Sequence, residues 1–329
     1  MPNYYKNLGP ISYESIAKIA GVCSKSSYDK YRDVQFLKLS GQNDCTENDL
    51  SFMYDGAKIS DFKEYPKGVI ISKKNLNFNN DEVIKFVVDD VHQVLSKISN
   101  LFYRELTLEE KKKLKKTSIK NQKHISNLAV IKNNCLLGKN LTINEGAIIN
   151  EGCIIGENVR IGSNTVIYNS IIGDNVEIGS NCTIGQPGFG FSMNKPSNTK
   201  IFHIGRVIIQ NNAYIGSGCT IDRGSFSDTT IGENTYLDNQ VHIAHNVTIG
   251  CNTIMAGQCG VAGSAKIGNN VRIGGQVGII GHVNIGNNVE IAAKSGVRNS
   301  IEDNKKVMGD PAINMFTHLK KTIKKNKVK

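Results

Sequence analysis

At 329 residues and 39% apolar, the chain can bury a large core and has room for two units. No run reaches the roughly 18 apolar residues of a membrane span, and Met-Pro-Asn-Tyr-Tyr-Lys lacks the apolar segment of a signal peptide. A cytoplasmic protein with at most peripheral membrane contact is therefore expected. The formal charge of +11 suits an acidic partner or a membrane surface, yet no helix-turn-helix, zinc finger or aromatic-plus-basic platform accompanies it, which argues against nucleic acid.

Residues 1–103 carry no repeat and read as a small α/β unit. Ser12 ahead of Tyr13–Val22, with Glu14 and Ser15 in the first turn and Gly21 near the end, predicts a short helix. Val34–Leu37 and Gly68–Ser72 read as strands, and the pattern from Asp81 to Phe102 as a helix. The stretch 104–124, holding seven lysines and one arginine, reads as a charged helix or linker.

From Ile125 a large aliphatic residue returns every sixth position to Ile167. A one-residue slip resets the series to Ile172, Ile178 and Ile184, residues 185–203 leave it, and it resumes at Ile209, Ile215 and Ile221. After a four-residue insertion around Arg223 to Asp228 it runs unbroken through twelve positions from Ile231 to Val297. A period of six fits neither a helix nor an alternating strand, but it fits a short strand plus a corner, as in a parallel β-helix. Recurrent Gly and Asn supply the left-handed backbone that tight corners need. Three hexads make an 18-residue coil, so residues 18 apart should stack at about 4.8 Å, and nine or ten coils should give a prism of roughly 45 Å. Residues 125–308 are assigned to this prism, and 309–329 to a basic helical tail. The eight cysteines include no Cys-x-x-Cys. Cys135, Cys153, Cys182, Cys219 and Cys259 each fall four residues after the large aliphatic, where small core residues belong.

The stacking rule singles out Asp238–Val247. His245 is two residues past Ile243, Gly263 two past Val261 one coil later, and His282 three past Ile279 two coils later. The three are expected along one edge, the glycine about 4.8 Å and the second histidine about 10 Å above His245. A histidine of ordinary pKa near 6.5 accepts a proton at neutral pH, and a glycine N–H freed by a corner can hold an oxyanion. The same spacing also fits two unremarked surface histidines. Zinc held by His242, His245 and His282 is a further chemistry, although His242 and His245 straddle Ile243 and are expected on different faces. Asp222 beside Arg223 suggests a buried ion pair. The glycine-rich 185–191 lacks the Gly-Lys-Ser/Thr of a P-loop.

These residues carry a resemblance. Thr220-Ile-Asp-Arg-Gly-Ser, Ile243-Ala-His-Asn-Val, Gly260-Val-Ala-Gly-Ser, Gly274-Gly-Gln-Val-Gly and Gly309-Asp-Pro-Ala resemble the left-handed β-helix acyltransferases, in particular the lipid A pathway N-acyltransferases acting on UDP-3-O-acylglucosamine. The resemblance spans roughly residues 125–315. It implies a mainly β fold, a left-handed parallel β-helix with a small N-terminal uridine-binding α/β domain and a C-terminal helical tail, working as a homotrimer. It implies transfer of a 3-hydroxyacyl chain from acyl carrier protein to a sugar 2-amino group, with no cofactor beyond the donor's phosphopantetheine. His245 would be the general base, Gly263 the oxyanion N–H and His282 the second histidine of the cleft. Asn239, Asn246, Phe189 and Phe191 would contact substrate, and Phe52 would stack on uracil. Lys200-Ile-Phe-His-Ile-Gly-Arg-Val207 departs from the family's usual Lys-Ile-Pro-Gln at Phe202 and His203. Alternatives are the related O-acyltransferase acting on UDP-N-acetylglucosamine, which usually has Asp after the histidine, a zinc γ-type carbonic anhydrase, and a β-helix scaffold without activity.

Overall fold

The computed structural model describes residues 4–42, 44–54, 62–75, 80–119, 124–193, 197–309 and 315. Two main hydrophobic cores and a smaller third cluster, which includes Met53, Val69 and Ile71, organise them. The larger is a column of stacked Ile, Leu, Val, Met, Ala and Cys side chains running from Cys135 to Val297. Around it, three parallel sheets of eight, ten and nine short strands form the faces of a prism. The hexad lattice explains this arrangement. Each large aliphatic points inward from a two-residue strand while its outward neighbour meets solvent, as in Thr142–Ile143 and Lys266–Ile267. All five cysteines in the fourth slot are buried.

The 18-residue stacking holds throughout the last coils. Ile243 pairs with Val261, and Val261 with Ile279. The slip after Ile167 is absorbed by the three-residue strand Ser170–Ile172, and the insertion after Ile221 by the strand Thr220–Arg223, which pairs with Thr183–Pro187 across a bulge between Ile184 and Gln186.

At one corner the left-handed position is held by asparagine in coil after coil, for example Asn140, Asn158, Asn175 and Asn212 at φ 55–60°. Asparagine tolerates this conformation better than other residues with a Cβ, and here its amide also bonds along the axis. Asn140 Nδ2 donates to Asn158 Oδ1 at 3.1 Å, Asn158 Nδ2 to Asn175 Oδ1 at 3.0 Å, and Asn175 Nδ2 to Asn212 Oδ1 at 3.2 Å.

The second core belongs to the N-terminal elements. A three-stranded parallel sheet, Leu50–Met53, Gly68–Ser72 and Ile84–Val88, packs with helices α1 (Tyr13–Ala20) and α3 (Val91–Phe102); α2 (Lys25–Tyr31) lies between them in sequence. Ser12 caps α1 by accepting from the Ser15 N–H, and Gly21 ends it at φ 69°. The helix expected from Asp81 to Phe102 is instead a strand followed by α3. Ile84-Lys-Phe-Val-Val alternates in burial, as a half-buried strand does, and Asp90 caps α3. In the charged stretch, Thr107 and Glu110 form a capping box at the start of α4 (Leu108–Lys113). Of the basic tail, only Gly309 and Met315 lie within the described residues.

The two cores meet through the excursions. Ile201 and Phe226, from the two interruptions of the lattice, are buried in the N-terminal core. Asn100 on α3 donates to the Lys200 carbonyl at 3.2 Å, and Ser99 Oγ accepts from the Phe202 N–H at 3.1 Å. The segment that left the repeat is thus pinned by α3.

The asparagine column gives a stability prediction. Asn158→Ala should cost about 1–3 kcal/mol, because alanine is strained at positive φ and both amide bonds are lost, while Asn158→Gly should cost clearly less. Urea unfolding of the two variants checks both the size and the order.

Candidate functional site

An open groove of about 1310 Å³ runs along the face that carries His242, bounded on one side by the excursion at 186–203. His245 stands in its wall, half-buried, at the corner following the strand His242–Ile243. The next residue fixes its tautomer. Asn246, in the left-handed corner slot at φ 62°, receives the backbone N–H of Ser225 at Oδ1 (3.0 Å) and donates from Nδ2 to the Ser227 carbonyl at 3.2 Å. Those two backbone partners orient the amide, so Oδ1, 2.9 Å from His245 Nδ1, must accept there. His245 therefore carries its proton on Nδ1 and leaves Nε2 as a lone pair. The Asn246 N–H is in turn held by Thr229 Oγ1 at 2.8 Å.

Gly263 is where the stacking rule puts it. A Cβ there would stand 2.8 Å from His245 Cε1 and 2.9 Å from Nε2, so only glycine lets the next coil approach the imidazole this closely. Among the described residues its N–H has no acceptor. Gly188 closes the other side of the ring, where a Cβ would stand 2.7 Å from His245 Cβ. Phe189 is 81% exposed and meets Phe191 edge-on at 4.6 Å, both at the groove.

Four expected residues do not line the groove: Asn246 reaches it only through His245, and His282, Asn239 and Phe52 lie elsewhere. His282 takes the left-handed corner slot that Asn246 and Ser264 hold in the coils before it, and Gly281 lies over Gly263 instead. Its N–H donates to the Gly263 carbonyl at 3.2 Å, its side chain is exposed, and it is not among the groove's lining residues. Asn239 sits at another corner, exposed, accepting from the Ser217 N–H. Phe52 is 7% exposed, with Phe226 and Tyr54 edge-on to its ring at 4.9 and 5.1 Å.

Asp222 and Arg223 do not form the expected pair. Asp222 faces the groove, where Gln186 Nε2 donates to Oδ1 at 2.9 Å and His242 Nε2 lies 4.0 Å from Oδ2. Arg223 turns to a separate cavity beside Tyr4, Tyr5 and Glu105. The insertion is instead braced by Arg206, whose guanidinium meets Asp228 at 2.6 Å. His242 and His245, expected on different faces, line one groove, and His242 Nδ1 is engaged by Thr220 Oγ1 at 2.7 Å. Among the described residues no three of His, Cys, Asp and Glu are placed to share a metal ion.

His203 emerges only from the structure. It is 3% exposed, its ring edge-on to His245 at 5.5 Å between centroids, with Gly190 packed against it. Nδ1 lies 2.9 Å from the Ile201 carbonyl, which can only accept, so this imidazole too is protonated there and its buried Nε2 has no partner among the described residues. Burial, followed by the nearby His245 and Arg223, pushes its pKa down to about 4. A sequence signal existed in the departure at position 203, but nothing in the repeat told that this excursion folds back onto His245.

The comparisons with known proteins agree with this architecture. Residues 264–299 match the family model described as bacterial transferase hexapeptide (six repeats), and residues 114–191 match that of the GMPPB C-terminal domain. The chain carries a hexapeptide repeat folded as a left-handed β-helix. It resembles UDP-3-O-acylglucosamine N-acyltransferases: 47% identity over 64 residues to that of Caulobacter vibrioides, covering 20% of this chain and 19% of the relative, and 50% over 64 residues to that of Rhizobium rhizogenes, covering 20% and 18%. The matched segment is thus about a fifth of the length of those curated relatives. Among solved structures it is similar to LpxA from Acinetobacter baumannii, at 25% identity and TM-score 0.52 over 60% of this chain and 78% of that one. UDP-N-acetylglucosamine acyltransferase from Francisella novicida shares the fold, at 24% identity and TM-score 0.51 over 60% and 73%. No described helix is long and apolar enough to cross a membrane.

The buried neutral His203 makes stability depend on pH. Its folded pKa lies below the ordinary 6.5, so its contribution is full above pH 6.5 and is lost as pH falls toward about 4. Between pH 7 and pH 4.5 this amounts to about 2–3 kcal/mol. His203→Gln should remove that part of the acid sensitivity, read as a smaller difference in urea unfolding between the two pH values.

Proposed function

We propose that this protein is an N-acyltransferase that moves a 3-hydroxyacyl chain from acyl carrier protein to the 2-amino group of UDP-3-O-acylglucosamine. The observation that carries the reading is the closeness of two groups, the free Nε2 of His245 and the unoccupied N–H of Gly263, one coil apart. Nε2 takes a proton from the amine as nitrogen attacks the thioester carbon. The Gly263 N–H meets the negative charge that develops on the carbonyl oxygen. As the tetrahedral intermediate collapses, the C–S bond breaks and the imidazolium returns the proton to the departing sulfur.

The donor's arm fits the groove. Gly260, Gly278 and Gly296 pave its floor at successive coils, and a Cβ at any of them would touch nothing within 4 Å. The strip runs about 14 Å from His242, with Ala244, Ala262 and Ile280 beside it and Arg298 at the far end. An extended, slender thioester arm ending in a phosphate matches that order of surfaces. The groove is open along one side, which suits closure by a neighbouring copy in a homotrimer, and a cytoplasmic enzyme is the location consistent with an acyl carrier protein donor.

The O-acyltransferase reading draws on the solved LpxA-like structures, of which that from Acinetobacter baumannii is 25% identical to this chain over 60% of its length. The curated relatives from Caulobacter vibrioides and Rhizobium rhizogenes, 47% and 50% identical over 64 residues, are named for N-acylation, and Asn246 follows the histidine here.

The test is transfer from 3-hydroxyacyl carrier protein to UDP-3-O-acylglucosamine by the full chain and by His245→Ala. Wild-type turnover should fall by roughly 10²–10⁴ in a variant that remains folded. Wild-type turnover that survives the substitution would discard the base. Absence of wild-type turnover, with acylation of UDP-N-acetylglucosamine, would transfer the assignment to the O-acyltransferase.

A further inference from the structure

The groove contains a carboxylate that the mechanism above does not use. Asp222 is 4% exposed and sits where the bulge between Ile184 and Gln186 sets Gln186 opposite it. One oxygen is occupied by Gln186 Nε2 at 2.9 Å. The other, 4.0 Å from His242 Nε2, accepts no hydrogen bond among the described residues. The nearest arginine in sequence, Arg223, is turned to another cavity. The groups bearing on the carboxylate are therefore Gln186, His242 and His245; burial raises its pKa and the two histidines oppose that. A buried carboxylate without a full cationic partner is costly unless a ligand supplies one or a strong N–H donor.

We propose that Asp222 receives an N–H of the attacking amine and makes this site select nitrogen over oxygen nucleophiles. This rests on the N-acyltransferase reading. An amine brings two N–H groups: one passes to His245 Nε2 as the C–N bond forms, and the other stays on nitrogen, donating to Asp222 while nitrogen carries positive charge. The product amide keeps that second hydrogen, and the first reaches the thiol through His245, so atoms and charges balance. A hydroxyl brings one hydrogen only. Once His245 takes it, the oxygen turns lone pairs toward the carboxylate, which repels them. The same carboxylate thus favours one nucleophile and opposes the other.

The experiment uses the full chain with 3-hydroxyacyl carrier protein as donor and two acceptors, UDP-3-O-acylglucosamine and its 2-hydroxy counterpart UDP-3-O-acylglucose. Wild type should transfer to the amine and scarcely to the hydroxyl. Asp222→Asn should lose at least roughly 10-fold in amine kcat/KM, the size of a charge-assisted hydrogen bond, and its preference for the amine should shrink. An Asp222→Asn enzyme that keeps both its amine rate and its preference overturns the inference while leaving the function intact. So does a wild type that acylates both acceptors equally, a result that needs no variant to fold. Wild type inactive toward both acceptors overturns the N-acyltransferase reading, and the role of Asp222 falls with it.

Discussion

The interaction on which everything else depends is the parallel backbone ladder between coils. Its spacing of about 4.8 Å is set by N–H···O=C geometry and does not vary with side chains, so an 18-residue coil converts position in sequence into position along an axis. Ile243, Val261 and Ile279 are in register for this reason, and the same ladder places the Gly263 backbone against the His245 ring. The core contributes through close stacking of aliphatics of similar size, with cysteine and alanine filling the crowded corners. Replacing a stacked isoleucine by alanine in such a column typically costs about 2–5 kcal/mol, so the lattice resists the very changes that would shift the site.

A prism of identical coils offers repeated corners, and a single distinctive groove requires something to break the repetition. Here the two interruptions do so. The segment after Ile184 folds Gly188 over His245 and Gly190 over His203, both approaches too close for a Cβ. The insertion after Ile221 supplies Ser225 and Ser227, which orient Asn246 and through it His245. Both interruptions are fastened by side chains buried in the N-terminal core, Ile201 and Phe226. The N-terminal elements therefore shape the groove even where they do not line it.

Much of this was legible in the sequence because period six leaves few geometries. The inward aliphatics, the buried cysteines and the pairing of His245 with Gly263 all follow from counting by 18. Counting also marks its own limit at His282, which falls one residue out of step with His245 and Gly263 and so takes the next corner slot. What could not be counted lay in the interruptions. His203 and Gln186 reach the groove through folds of irregular chain, and Asp222 turns from its neighbour Arg223 because successive residues of the strand Thr220–Arg223 face opposite sides, while the bulge in the facing strand sets Gln186 against it. Ile84–Val88 reads as helix in the sequence because a short apolar run flanked by acidic residues does not reveal its period until its sheet partners are known.

In the proposed reaction His245 and the Gly263 peptide act across one coil spacing, and one methyl group tests it. Gly263→Ala places a Cβ within 2.9 Å of His245 Nε2 at a corner whose φ is not left-handed, so the backbone tolerates it while the ring must move. Measured as kcat for acyl transfer to UDP-3-O-acylglucosamine, the substitution should lower turnover by roughly 10² or more, with the thermal transition little changed. A Gly263→Ala enzyme that is folded and works at the wild-type rate would contradict the claim that these two groups share one reaction.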